Sequence, residues 1–331
     1  MARPKYFLGI DLGGTKLLTA LLDRKFKVLR EKKSKVEAQR GEKFFFKTLK
    51  EDIAEVLALG KKTPRDLIAI GMGCPGVLEF PSGLVKISPN ISFLKSYPLG
   101  ARLKAVYKVP VVVENDVNAG LYGELHFGAA RGHRHVVGIF LGTGIGGGLI
   151  LDGKLYRGFT GAAGEIGHTF LYPPSFADPA GRDGTLEALA GRLAISSDAA
   201  LLIMKQKAPH LYEEVEHDVK KIKSKSIARA IRAGDTALRV LIESKARLLG
   251  VSMANTVNLL SPELFVLGGG MVEAMASWII PPAMEVMKRY SLEPMARDVK
   301  VVPAKLGDYA IVMGAAKLAF DHLNAGGRKK S

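Results

Sequence analysis

The apolar positions near the start of the chain form short strand-like runs. Residues 6–10 and 17–22 alternate as strands do, and Gly13-Gly14 between them predicts a hairpin. Apolar side chains spaced by three and four residues over 46–57 predict a helix, and the run 67–72 predicts a buried strand. The first part of the chain is therefore predicted to be an α/β domain.

The same order of elements begins again further along. Residues 111–113 predict a strand, and the apolar spacing after it predicts a helix that begins near Asp116. Residues 136–141 predict a strand that runs into the glycine turn GTGIGGG (142–148), with another strand over 148–151. The pattern indicates a repeated architecture.

The remaining pattern is helical, with two further strands. Asp235 is a candidate N-cap for a long helix with an apolar stripe as far as Val257. Strands are predicted at 264–267, before LGGG, and at 299–303, before a last helix. Two similar β-rich halves, each opening on a glycine turn, are expected to close around a nucleotide.

The predicted domains follow from this division. Residues 1–118 form a small α/β domain and residues 119–307 a large one, with a C-terminal helix at about 308–323 that returns to the small domain. Residues 324–331 are expected to be a disordered basic tail.

Composition and charge limit the classes of function. Of 331 residues, 47% are hydrophobic and 24% charged, which is typical of a globular protein, and no apolar segment predicts a membrane span or a secretory signal. We therefore expect a cytoplasmic protein with no membrane partner. The net charge of +16 raises nucleic acid or a polyanion as a partner, but the basic runs 24–35 and 220–232 contain few aromatic residues and fit solvated faces. No nucleic-acid partner is expected.

The glycine turns carry the candidate chemistry, because turns that follow strands present backbone amides to phosphates. The first turn adds a hydroxyl and a cation, and the carboxylate before it is a candidate to hold hydrated Mg²⁺. A single turn of this kind is as often structural as functional, but the occurrence of several in one chain predicts binding of ATP and Mg²⁺ for phosphoryl transfer. The candidate residues are Asp11, Gly13, Gly14, Thr15, Lys16, Gly142, Thr143, Gly144, Gly268, Gly269 and Gly270.

Asp116 is the candidate general base. It lies between the first and third glycine segments, at the predicted start of a helix. The alternative is an N-cap carboxylate for that helix, and the two roles are compatible.

Several motifs together resemble the ROK family of sugar kinases and regulators. They are GIDLGGTK (9–16), GMGCPG (71–76), SPN (88–90), ENDVNAG (114–120), GTGIGGG (142–148), GAAGEIGH (161–168) and LGGG (267–270). The resemblance implies the actin-like ATPase fold, which consists of two duplicated ribonuclease-H-like domains around a nucleotide and sugar cleft. It also implies a homodimer.

The family's functional residues carry over onto matching positions. The resemblance implies that Asp116 accepts the proton of a sugar 6-hydroxyl and that Asn115 binds the neighbouring hydroxyl. It places Gly76 and Asn90 in the sugar site, and it assigns Glu165, His168 and Glu187 to the anomeric side of the ring. The alternatives are a structural histidine for His168 and a carboxylate in a first helical turn for Glu187.

One departure from the family pattern concerns zinc. Family members usually carry a cysteine-rich zinc knuckle between the GEIGH histidine and the glutamate, whereas this chain has a single cysteine, Cys74, outside that segment. No structural zinc is therefore expected.

The function implied is ATP-dependent phosphorylation of a hexose, with glucose as the first expectation, in carbohydrate metabolism and glycolysis. Alternatives are a kinase for N-acetylmannosamine, N-acetylglucosamine or fructose, and a polyphosphate-dependent glucokinase. A sugar-sensing regulator is disfavoured, because such proteins carry a DNA-binding module ahead of the first glycine turn and few residues precede Gly9 here. An ATPase without an acceptor would not need Asn115-Asp116 together with GEIGH.

Overall fold

The computed structural model describes residues 4–88, 91–173 and 183–327. The strands are β1 (Tyr6–Leu12), β2 (Lys16–Leu22), β3 (Val28–Lys35), β4 (Leu67–Cys74), β5 (Val77–Glu79), β6 (Leu84–Ile87), β7 (Val111–Asn115), β8 (Val136–Leu141), β9 (Ile145–Leu151), β10 (Lys154–Tyr156), β11 (Leu264–Gly268) and β12 (Lys300–Pro303). The helices are α1 (Gly41–Leu59), α2 (Leu99–Tyr107), α3 (Asp116–Phe127), α4 (Leu186–Ala190), α5 (Arg192–Met204), α6 (Pro209–Glu214), α7 (Ser224–Ala233), α8 (Thr236–Leu260), α9 (Gly270–Tyr290), α10 (Glu293–Ala296) and α11 (Tyr309–Gly327). Within these described ranges, no helix has the length and apolarity that a membrane crossing needs.

The chain divides into two compact units. Unit 1 contains residues 1–132, 155–163 and 308–331, and unit 2 contains residues 133–154 and 164–307. The boundary predicted after residue 118 falls inside α3, and the whole of α3 lies in unit 1 because it packs against α11 and β4. Segment 155–163, which the prediction assigned to the large domain, also lies in unit 1.

Unit 1 is built on a mixed sheet in the order β3-β2-β1-β4-β7. The hairpin β1–β2 is antiparallel, as its apolar alternation and its glycine turn predict, whereas β4 and β7 run parallel to β1. Leu49 and Ile53 of α1 are fully buried in the unit 1 core. The predicted helix over 46–57 is thus the middle of α1.

Helix α11 completes unit 1 by packing on α3, β4 and β1. A Cβ atom on Gly71 of β4 would lie 2.0 Å from the Ala315 carbonyl oxygen, and one on Gly314 would lie 1.8 Å from the Ala119 carbonyl oxygen. Only glycine permits the helix backbone to approach this closely. Residues 324–327, predicted as tail, are the last turn of α11, while 328–331 lie outside the described residues.

Unit 2 repeats the sheet topology of unit 1. Its order is β10-β9-β8-β11-β12, with β8–β9 antiparallel and β11 and β12 parallel to β8. Helices α8 and α9 pack together beside this sheet and bury Leu249, Met253 and Ala283. The prediction of an α/β fold with two duplicated halves is confirmed.

Of two local predictions for unit 2, one is wrong and one holds for the position of a residue but not for the role of its side chain. The glycine turn covers only Gly142 to Gly144, and Gly146, Gly147 and Gly148 lie inside β9, paired with β8. Asp235 is the N-cap residue of α8, as predicted, but its side chain makes no cap hydrogen bond to that helix. Its buried carboxylate accepts hydrogen bonds from the backbone amides of His210 and Leu211 at the start of α6, at 3.3 and 2.8 Å.

Candidate active site

Strand register brings several predicted residues of unit 1 to one edge of its sheet. Asp11 on β1 pairs with Gly73 on β4, and Cys74 pairs with Asn115 at the end of β7. Because these three strands are parallel, the side chains that follow their carboxyl ends collect at the same edge. Asp11, Gly76 and Asn115-Asp116 therefore share one region of unit 1.

Asp11 is electrostatically coupled to two other carboxylates. Burial, together with the negative charges of Asp116 and Asp308, raises the pKa of Asp11 to about 7. Asp308, which sequence reasoning did not single out, precedes α11 and pairs with Lys33 at 2.9 Å. A negative cluster of this kind is relieved by a cation.

The first glycine turn joins β1 to β2. The Gly13 amide donates to the Lys16 carbonyl oxygen at 2.8 Å, which closes the turn, and the side chains of Thr15 and Lys16 are exposed. Gly14, between Gly13 and Thr15, is partly exposed. The hydroxyl and the ammonium group are thus accessible at the turn as predicted from sequence.

Asn115 is bonded to the loop that carries Gly76. Its Nδ2 donates to the Gly76 carbonyl oxygen at 3.2 Å, and its Oδ1 accepts from the Asn118 amide at 3.0 Å. Gly76 has φ +109°, and a Cβ there would lie 2.1 Å from the Ile87 carbonyl oxygen. Glycine is required here both by the backbone conformation and by space.

Asn115, not Asp116, caps α3. Asp116 is the first residue of that helix, and its Oδ1 accepts from the Val117 amide at 3.0 Å. The alternative role of N-cap for Asp116 is therefore wrong, because Asn115 already supplies the cap. The positive end of the helix dipole stabilises the ionised carboxylate of Asp116.

Glu114 and Arg157 form a buried ion pair that sequence reasoning missed. Arg157 Nε donates to Glu114 Oε2 at 2.7 Å, and the Glu114 side chain is only 3% exposed. The sequence did carry one signal for this pair: Glu114 lies near the end of an apolar strand, and a buried charge needs a partner. Its partner lies 43 positions away, beyond the reach of local patterns.

The second glycine turn lies between β8 and β9 in unit 2. The Gly142 amide donates to the Gly144 carbonyl oxygen at 2.9 Å. Arg192, the first residue of α5, donates from Nη2 to Thr143 Oγ1 at 2.9 Å. This places an arginine beside the turn, which sequence reasoning also missed.

Glu187 contacts the same turn. It lies in the first turn of α4, yet its Oε2 accepts from the Ile145 amide at 2.8 Å, while Thr185 caps the helix. A Cβ on Gly144 would lie 2.0 Å from that oxygen. The location in a first helical turn is thus correct, but the carboxylate bonds outside its own helix.

His168 is the last residue of a short 3-10 turn, Ile166–His168, and Glu165 immediately precedes that turn. The Glu165 Oε2 and His168 Nε2 atoms are 3.9 Å apart, and both side chains are about half exposed. Backbone contacts link this turn to Glu187, because the Leu186 amide donates to the Thr169 carbonyl oxygen at 2.9 Å. Unit 2 therefore brings the three predicted sugar-binding side chains onto neighbouring backbone.

The loop that follows GEIGH is closed without cysteine. Phe170 and Thr185 form an antiparallel bridge, and the Leu171 amide donates to the Gly184 carbonyl oxygen at 2.9 Å. Residues 174–182 lie outside the described residues, as does the predicted sugar contact Asn90. In the part of the chain that the structure describes, no group of three or more His, Cys, Asp or Glu side chains is arranged to hold a metal ion.

The third glycine turn connects β11 to α9. Gly268 packs on the Phe140 ring, and Gly269 has φ +85° and accepts the first hydrogen bond of the helix, from the Glu273 amide at 3.0 Å. A Cβ on Gly270 would meet no atom within 4 Å. Open space at a helix start suits a phosphate or a nucleotide.

The residues present fit Mg²⁺ and ATP. Mg²⁺ in phosphoryl-transfer sites usually binds one or two carboxylates, together with water and phosphate oxygens, so Asp11 suffices as a protein partner. The raised pKa of Asp11 reflects its burial first and then the charges of Asp116 and Asp308, which a divalent cation would offset. The glycine turns offer backbone amides and, at Thr15 and Lys16, a hydroxyl and a cation.

Comparison with known proteins places the chain in a family. The model of the ROK family matches residues 7–322. The chain belongs to the ROK family. This ROK chain is 30% identical to a glucokinase of Halalkalibacterium halodurans over 97% of both chains. It is 28% identical to a xylose repressor of Caldicellulosiruptor bescii over 96% of this chain and 78% of the repressor.

A solved structure shows the same fold. The crystal structure of a ROK family glucokinase from Streptomyces griseus, in complex with glucose and AMPPNP, is 30% identical and superposes with a TM-score of 0.83 over 96% of this chain and 99% of that one. The ROK chain therefore has the actin-like ATPase fold, in agreement with the duplicated sheets of its two units.

Proposed function

We propose that the protein is an ATP-dependent hexose kinase that phosphorylates the 6-hydroxyl of glucose. The observation that carries the proposal is the strand register of unit 1, which collects Asp11, Gly76 and Asn115-Asp116 at one sheet edge. The glucokinases among its relatives, one of them crystallised with glucose and AMPPNP, support glucose as acceptor and ATP as donor.

In the proposed reaction, the Asp116 carboxylate accepts the proton of the 6-hydroxyl as that oxygen attacks the γ-phosphorus and ADP leaves. Asn115 binds the adjacent hydroxyl and is kept in orientation by its bonds to Gly76 and Asn118. Glu165, His168 and Glu187 bind hydroxyls toward the anomeric carbon, and Asn90 adds a further sugar contact.

The donor is held by backbone amides and cations of this chain. Gly13 to Lys16, Gly142 to Gly144 and Gly268 to Gly270 bind the phosphates and the nucleoside. Asp11 would hold hydrated Mg²⁺, and the bound ion would neutralise charge on the phosphate oxygens. Arg192, bonded to Thr143, adds a cation at the second turn.

The function is tested by measuring ADP release with glucose, fructose, mannose, N-acetylglucosamine and N-acetylmannosamine, with ATP or polyphosphate as donor. We expect glucose with ATP to give the highest kcat/KM. Asp116→Asn should lower kcat by about two to four orders of magnitude, because it removes the base and preserves shape. Asp298→Asn, at an exposed position, is the matched control and should leave kcat unchanged. Undiminished turnover in Asp116→Asn would overturn the role of Asp116 as base. No ADP release above background with any of these sugars and either donor would overturn the proposal of a kinase.

A regulator is the second candidate, because the xylose repressor matches almost the whole chain. It predicts sugar-dependent DNA binding that weakens with salt. A mobility-shift assay with DNA at two salt concentrations separates a regulator from a kinase. A kinase would give no sequence-dependent shift there and would release ADP in the assay described above.

The cellular setting follows from the activity proposed. We place the protein in the cytoplasm, where its product enters glycolysis, and we propose a homodimer. Light scattering on the purified protein tests the dimer, and fractionation of cells tests the location.

A further inference from the structure

The segment 155–163, here called the strap, belongs to unit 1 although the residues on either side of it belong to unit 2. The Ala163 amide donates to the Arg157 carbonyl oxygen at 3.0 Å, which closes the strap on itself. Lys86 Nζ donates to the Thr160 carbonyl oxygen at 3.4 Å, and a Cβ on Gly161 would lie 2.5 Å from the Leu78 carbonyl oxygen. The strap is therefore anchored against β5 and β6.

Arg157 is the strap residue that reaches the candidate catalytic segment. Its Cζ lies 3.9 Å from the centre of the Phe80 ring, and its Nε donates to Glu114 Oε2. The ring restricts the guanidinium group on one side, and the carboxylate fixes its direction. Arg157 retains 22% of its side-chain exposure, whereas Glu114 is almost fully buried.

The second oxygen of Glu114 is bonded to the residues around the candidate base. Glu114 Oε1 accepts from the Asn115 amide at 3.0 Å and from Asn118 Nδ2 at 3.3 Å. Asn118 in turn donates its amide to the Asn115 side chain. One carboxylate thus connects Arg157 to the backbone on which Asp116 is held.

We propose that Arg157 is a positioning residue for the phosphoryl transfer. By holding one oxygen of Glu114, it directs the other oxygen to Asn115 and Asn118 and so fixes the orientation of Asp116. The inference rests on the proposed function, since the reaction to which Asp116 contributes is the one proposed above.

The physical reason is the burial of Glu114. Removing the cation leaves a buried carboxylate without its partner, and this is costly enough to make the side chain turn toward water. That rotation withdraws Oε1 from the Asn115 amide. Displacement of a catalytic group by about 1 Å costs on the order of 100-fold in rate.

The test compares steady-state kinetics of Arg157→Met with the wild type. We expect kcat to fall about 10- to 100-fold while KM for ATP changes less than about threefold, because the donor contacts remain. Arg157→Lys should be intermediate, since the ammonium group keeps the charge without the planar fork. The double variant Glu114→Gln/Arg157→Met should recover part of the loss, because a neutral amide does not need the cation.

Arg102→Met is the matched control. Arg102 is also in unit 1, pairs with Glu42 and lies against the rings of Phe46 and Tyr97. Its removal should leave kcat unchanged. If Arg157→Met does not fold, Phe80→Leu removes the ring beneath the guanidinium group and should lower kcat by a smaller factor.

Hydrogen–deuterium exchange supplies a readout that does not need activity. Amides 114–118 should exchange faster in Arg157→Met and not in Arg102→Met. If the wild type phosphorylates no sugar but the exchange of these amides still changes in Arg157→Met, the proposal of a kinase is overturned. The effect of Arg157 on the position of segment 114–118 then still holds. If the wild type is active and the Arg157→Met variant retains kcat within about twofold, whether or not its KM changes, the inference is overturned.

Discussion

Asp11→Asn should stabilise unit 1 at neutral and alkaline pH and have little effect at acid pH. The change removes a carboxyl group whose pKa burial, together with the charges of Asp116 and Asp308, raises to about 7 from 3.8. Asparagine keeps the shape of the side chain, so the comparison isolates the charge.

The sign follows from proton binding. Between pH 3.8 and about 7 the folded protein retains a proton on Asp11 that the unfolded chain has lost, so stability falls as pH rises through this window. Above pH 7 both states are ionised and the penalty is constant. A shift of about three pKa units corresponds to an upper limit of about 4 kcal/mol, and the residual solvent exposure of Asp11 reduces our expectation to about 2 kcal/mol.

The assay uses the single cysteine. Cys74 lies fully buried on β4 of unit 1, so the rate of thiol labelling in urea follows the opening of that unit. The fluorescence of Trp278, in α9 of unit 2, serves as an internal control. Measurements at pH 5, 6, 7 and 8, without Mg²⁺ or nucleotide, should show the advantage of Asp11→Asn growing to its full value at pH 8.

The comparison variant is Asp298→Asn, which changes an exposed aspartate and should give no pH-dependent gain. If the stability gain of Asp11→Asn were equal at pH 5 and pH 8, the assignment of a raised pKa to Asp11 would be refuted.

Two further substitutions test the glycine loop and the arginine beside the second turn. Gly76→Ala should destabilise unit 1 by about 1–3 kcal/mol, measured by labelling of Cys74, because φ is +109° and the new Cβ would meet the Ile87 carbonyl oxygen; unchanged stability would contradict the steric argument. Arg192→Met should raise KM for ATP about tenfold and leave KM for glucose unchanged, because it removes one charge-assisted phosphate contact; an unchanged KM for ATP would exclude that contact.

The repeated sheet could be predicted from sequence because strand and turn signals are local. Alternation in 6–10 and 17–22 with two glycines between them suffices for a hairpin, and β1 and β2 form as predicted. The same reasoning placed Gly146 and Gly147 in a turn, because glycine is a common turn residue. Pairing with β8 takes these glycines into β9, where Gly147 lies against the Gly164 carbonyl oxygen.

Contacts between distant segments could not be predicted in this way. Neither periodicity nor spacing indicates that Arg157 pairs with Glu114 or that Asp308 acts on Asp11. Asp235 shows the same limit, since its position before a helix suggested a cap while its carboxylate binds amides of another helix. Such partners are determined by tertiary packing, which competes successfully with local preference.

The late position of α11 in the chain has a consequence for synthesis on the ribosome. Every residue of unit 2 emerges before Tyr309, so that unit can bury its core while translation continues. Unit 1 must wait, because the face of β4 at Gly71 stays uncovered until Ala315 arrives. The segment made first is thus among the last to become protected, and nascent chains should expose that apolar face to chaperones for most of their elongation.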